Sequence, residues 1–68
     1  MPTKPQIIEA RRELPKCREA LREVLKRKAA GKVSAYTDKT IATIQRSIAH
    51  YERVLAEAQE LEAQRAAS

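Results

Sequence analysis

A single glycine, Gly31, divides a chain of 68 residues into two stretches, and in each stretch apolar residues return every three to four positions. Before it come Ile7, Ala10, Leu14, Cys17, Leu21 and Val24, with Ile8 and Leu25 beside the line. After it come Ile41, Ile44, Ile48, Tyr51, Leu55 and Ala58, flanked by Val54 and Leu61. Spacing of three and four puts a residue on the same side of an α-helix each turn, whereas strands alternate with period two, and no such alternation is present. Two amphipathic helices joined by one short turn are therefore expected, over about residues 4–30 and 38–64.

The boundaries carry their own signals. Thr3 with Gln6 three residues later is a capping box, and Pro5 suits a first turn, where its missing N–H has no partner to lose. Pro15 falls inside the first stretch, where it removes a hydrogen bond and costs roughly 3 kcal/mol. The apolar phase nevertheless runs through it unbroken, which favours one helix kinked near Pro15 over a break at Leu14. Lys26, Arg27 and Lys28 precede Gly31 as cations should at a helix C-terminus, with Gly31 in the left-handed cap. Thr37 is the expected cap of the second helix, with Tyr36 and Ile41 as a hydrophobic staple and Asp38 in the first turn. The linker 32–36 is short enough to force the helices antiparallel and leaves room for a brief extended stretch at Val33 and Tyr36. The fold class is all-α, or minimal α+β, as a single helical-hairpin domain over 1–68.

A chain this small buries a modest share of its surface, and small proteins compensate with disulfides, a metal or a second chain. One cysteine, Cys17, makes no internal bridge, and Cys17 with His50 is too few ligands for zinc, so association is the expected route. The residues of the helix–helix or oligomer interface are then Ile7, Leu14, Leu21, Val24 and Leu25 on the first helix and Ile41, Ile44, Ile48, Tyr51 and Leu55 on the second. Their stripe is wider than one partner helix covers.

Charge adds a second candidate surface. Residues 16–46 hold nine Lys and Arg against three acids, whereas residues 52–62 hold Glu52, Glu57, Glu60 and Glu62 against Arg53. The turn end should be positive and the far end negative. Lys26, Arg27, Lys28, Lys32 and Lys39 are candidates to meet nucleic-acid phosphate or an acidic partner, with a solvated helix end as the plainer reading. The lack of aromatics around them argues against single-strand stacking. Cys17 and Tyr51 read as space-filling seam residues and His50 as an edge residue without companions. With no phosphate loop, carboxylate pair or Ser/His/Asp set, neither an enzyme nor a cofactor is expected. No apolar run serves as a signal or membrane span, so the cytoplasm is the default location and no membrane contact is expected.

Residues 29–58, with Gly31 and Val33 at the turn, Tyr36–Thr37–Asp38 leading in, and Ile41, Ile44, Ile48 and Tyr51 on one face, resemble the gpW-type head–tail joining proteins of tailed bacteriophages. The resemblance implies two antiparallel helices flanking a small β-hairpin. It also implies a connector subunit that assembles as a ring beneath the portal, with portal and tail connector proteins as partners and the virion as location after assembly in the host cytoplasm. Two other functions fit the same residues. One is a dimeric four-helix-bundle regulator that binds nucleic acid at its basic end. The other is a helical adaptor or chaperone for another protein.

Overall fold

The computed structural model describes residues 1–67 and consists of two helices, α1 over Lys4–Ala29 and α2 over Thr37–Ala67, packed antiparallel as a hairpin. No strand occurs among the described residues, so the linker supplies none of the extended structure that Val33 and Tyr36 allow, and the β-hairpin implied by the family resemblance is not formed. The reason is length. Ser34 and Thr37 use up the linker in a tight turn, in which the Ser34 N–H donates to Thr37 Oγ1 at 2.9 Å and the Thr37 N–H donates to the Ser34 carbonyl at 3.2 Å.

Both ends of α1 close as the sequence dictates. The Thr3 N–H donates to Gln6 Oε1 at 2.8 Å and the Gln6 N–H donates back to Thr3 Oγ1 at 3.4 Å, a complete capping box. At the other end Gly31 sits at φ +81°, the Gly31 N–H donates to the Lys28 carbonyl, and the Lys32 N–H donates to the Arg27 carbonyl. That pair of bonds is the Schellman arrangement, which satisfies carbonyls that the helix itself leaves open. Ala30 is the cap rather than the last helical residue, one position short of the expected end.

Pro15 does not break the helix, which is continuous from Lys4 to Ala29. Pro15 has no N–H to offer the Arg11 carbonyl. Both residues are exposed, so the lost bond does not strand a carbonyl in the core. Leu14, the residue that a following proline pushes away from helical geometry, is one of the best-buried side chains of the chain. Packing has overridden the local preference.

The second helix differs more from expectation. It begins at Thr37 and continues through Ala67, past the expected fraying at residues 65–67; Ser68 lies outside the described residues. Thr37 does not act as the cap. Its hydroxyl accepts from Ser34 upstream, the Tyr36 carbonyl accepts the first helical bond from Thr40, and Ser34 Oγ accepts from the Tyr36 N–H at 3.3 Å. Tyr36 is 72% exposed, so it does not form a staple with Ile41.

The hairpin is a rod of 53 × 15 × 15 Å with a radius of gyration of 15.5 Å. A compact globule of this length would have a radius of gyration of about 11 Å. The core is correspondingly small: Ala10 at 0%, Leu14 at 5%, and Val54 and Ala58 at 9% exposure. All four lie in the half of the rod away from the turn.

The left-handed backbone at Gly31 gives a direct test. A Cβ there would meet nothing within 4 Å, so any penalty comes from the backbone alone. Gly31→Ala should lower stability by about 1–2 kcal/mol in urea or thermal unfolding, and Gly31→Asn by less, since Asn tolerates this conformation. Equal stability of Gly31→Ala and wild type would show that the cap does not hold the turn.

Candidate interaction surface

The ten expected interface residues separate into three groups. Leu14 alone is buried. Ile7, Leu21, Val24, Ile41, Ile44, Ile48, Tyr51 and Leu55 are half-buried, and Leu25 is 45% exposed, which removes it from the intramolecular seam. The buried positions that complete the seam are Ala10, Ala58 and Val54. Alanine at two of the four places lets the helix backbones approach closely. Val54, placed by sequence on the flank, takes the position expected for Leu55. On that flank of α2, Val54 and Glu57 line a hollow together with Met1, Pro2 and Gln6. On the other flank Leu14, Leu55 and Ala58 line an open groove of about 360 Å³ together with Arg18 and Glu52.

By helical phase Ile41, Ile48 and Leu55, seven residues apart, share this open flank of α2. All three are half-buried. In the turn half of the rod, from Cys17 to Ile48, no large aliphatic side chain is fully buried. The hairpin thus carries an apolar strip from Leu55 toward the turn that its own two helices cover only in part.

Among the described residues, polar links tie the helices together at both flanks and at the turn. Tyr51 Oη donates to Glu9 Oε1 at 3.3 Å, Arg18 lies 3.8 Å from Glu52, and Lys28 Nζ donates to Asp38 Oδ1 at 3.0 Å. All are solvent-exposed, where such contacts contribute about 0–1 kcal/mol, so they set register more than they stabilise. They place each of the seam's two flanks and the turn under a separate constraint. His50 tilts against Tyr51 with ring centroids 5.3 Å apart and is exposed. Among the described residues no group of three or more His, Cys, Asp or Glu is arranged to hold a metal ion.

The five basic candidates, Lys26, Arg27, Lys28, Lys32 and Lys39, are all exposed around the turn. Lys28 is engaged with Asp38; Lys26, Arg27, Lys32 and Lys39 have no ion-pair partner among the described residues. Residues 22–46 as a whole hold seven Lys and Arg against Glu23 and Asp38. At the other end, residues 1–10 and 53–67 hold Lys4, Arg53 and Arg65 against Glu9, Glu57, Glu60 and Glu62. The rod is electrically polarised along its length, as the sequence implies. No helix among the described residues is long and apolar enough to cross a membrane.

Tyr51 has its phenol pKa raised from the ordinary value near 10, first by the partial burial of its ring and then by the carboxylate of Glu9, which repels the phenolate and accepts the hydrogen bond of the neutral form. A folded-state pKa above the unfolded value means that the neutral phenol favours the fold. That contribution is complete below pH 10 and is lost as pH rises through the folded-state pKa. Alkaline titration followed at 295 nm should show one phenol ionising late. Glu9→Gln should move that midpoint down, and Tyr51→Phe should remove the late component. A late component that persists in Tyr51→Phe would place the perturbed phenol elsewhere.

No protein-family model, curated protein or solved structure matches this chain.

Proposed function

We propose that this protein is a structural assembly subunit: a helical hairpin whose unfinished apolar face is completed by neighbouring chains, with no chemistry of its own. The observation that carries the reading is the contrast between four buried residues and a strip of half-exposed aliphatics running from Leu55 through Ile48 and Ile41 toward the turn. Soluble monomers seldom leave a continuous apolar strip in water, and where they do, it marks a contact surface. The groove between the helices, with Leu14, Leu55 and Ala58 along it and Arg18 and Glu52 at its sides, lies open to solvent and extends the same apolar face.

The resemblance over residues 29–58 supports reading such a subunit as part of the head–tail connector of a tailed phage, seated in a ring beneath the portal, between portal and tail connector proteins. The open strip would be its contact with neighbours, and the positive turn end would face acidic portal surface or packaged DNA. Mass spectrometry of purified particles tests this setting. The protein should be present in virions at a copy number set by the ring, and particles assembled without it should have full heads and no tails. Its absence from virions would exclude the connector role.

A second reading is favoured by one specific observation, the four unpaired cations Lys26, Arg27, Lys32 and Lys39 around a single turn. A hairpin dimer that binds nucleic acid through them should lose affinity steeply with salt, since each phosphate contact releases counterions. Replacing Lys26, Arg27 and Lys32 together by alanine should reduce the slope of log affinity against log salt by about three times the per-contact value of 0.9. Binding to duplex DNA or RNA that is indifferent to salt, or to the triple substitution, would exclude this reading.

A further inference from the structure

We infer that the neighbour covering the strip Ile41–Ile48–Leu55 is a second copy of this chain, packed antiparallel, so that the basic turn of each hairpin lies beside the acidic open end of the other. The inference rests on the assembly reading above, not on its connector setting, in which the strip would meet ring neighbours, and it names the partner and its orientation in the free protein.

Three observations point to this occupant. The first is area. The chain exposes 5590 Å². A compact monomer of this mass would expose about 4,300 Å², so the rod carries roughly 1,250 Å² in excess. A standard specific interface takes about 800 Å² from each partner. The excess is enough for one such interface.

The second is the position of the strip. Ile48 and Leu55 sit near the middle of the rod, and Ile41 lies toward the turn. A two-fold axis through the middle sets the same side chains against themselves, which is the requirement of an isologous contact. Ile48 and Leu55 of the two copies would then interlock about that axis, and the two hairpins together would form a four-helix bundle.

The third is charge, and it selects the orientation. In a parallel pair the two turn ends would meet, each with seven Lys and Arg against two acids. In the antiparallel pair Lys26, Arg27, Lys32 and Lys39 approach Glu57, Glu60 and Glu62 of the other copy. The net charge of +5 per chain opposes any pairing of copies, and the antiparallel arrangement lessens that by keeping apart the two turns where the surplus is concentrated.

Sedimentation equilibrium and pulsed electron–electron resonance on the full chain test the proposal. Cys17→Ala with Ala35→Cys puts one spin label at each turn, where Ala35 is exposed. An antiparallel dimer should give a label separation close to the 53 Å length of the rod. A parallel dimer would give one or two helix spacings, about 10–20 Å, and would overturn the orientation. Raising salt should weaken the antiparallel dimer, whereas dimerisation strengthened by salt overturns the charge argument. Ile48→Asp should shift the mass to monomer by at least tenfold in dissociation constant while far-ultraviolet circular dichroism keeps its helical signal. Ile48→Ala, a milder change, should shift it in the same direction if the aspartate variant unfolds. A wild-type protein that stays monomeric at high micromolar concentration, or assembles beyond two copies, overturns the second-copy assignment. The connector role would still be decided separately, by the protein's presence in or absence from particles.

Discussion

Two α-helices in contact touch along a line, and this geometric limit governs nearly every feature of the molecule. Each helix presents an apolar stripe about 100° wide, but a single neighbour hides only its centre. Here the centre is reached at Ala10 and Ala58, where small side chains let the backbones close, with Leu14 and Val54 filling the space beside them. Everything farther out is half-covered. The same limit explains why the ends of α1 are so completely capped. A chain with little core has few sources of stability, so the Thr3–Gln6 box, the Schellman bonds at Gly31 and the Ser34–Thr37 turn carry a larger share than they would in a globular domain.

How far this arrangement was legible in the sequence depended on whether the deciding interaction was local. Gly31, Thr3 and Gln6 act within a few residues of themselves, and all three do what their spacing implies. Pro15 is a case where the apolar phase was the better guide than local preference: Leu14 is buried, and that outweighs the push from the proline ring. The residues that went differently depend on contacts distant in sequence. Val54 and Leu55 are adjacent and chemically similar, and which of them is buried depends on how α1 lies across α2 rather than on any local signal. Tyr36 looked like half of a staple, but Ser34 captured its N–H and turned the capping of α2 one step upstream, leaving the ring in solvent.

The linker shows the same competition at short range. Val33 and Tyr36 favour extended backbone, yet a strand needs a partner strand, and the residues between Gly31 and Thr37 are consumed by the cap of one helix and the turn into the next. An all-α hairpin is the outcome. The implied β-hairpin of the family resemblance has no residues left from which to form, so the connector reading stands on the helical face and the open strip rather than on that element.

The concentration of positive charge at the turn is greater than helix electrostatics calls for. Cations complement the carbonyl end of α1, but the amide end of α2 sits beside it, and the two antiparallel dipoles largely cancel where they meet. Asp38 serves α2, and Lys28 pairs with it. Lys26, Arg27, Lys32 and Lys39 remain, mutually repelling within a short length of rod and held there at a small cost to the isolated hairpin. Such a cost is recovered only where opposite charge is brought close. Glu23 and Asp38 are the acids within residues 22–46, two against seven Lys and Arg. The acids Glu57, Glu60 and Glu62 lie most of the rod's length away, out of reach across a screening length of about 8 Å. A neighbouring chain can bring opposite charge within range, and the same approach covers the aliphatic strip. In the proposed antiparallel pair, hydrophobic and electrostatic incompleteness have one remedy.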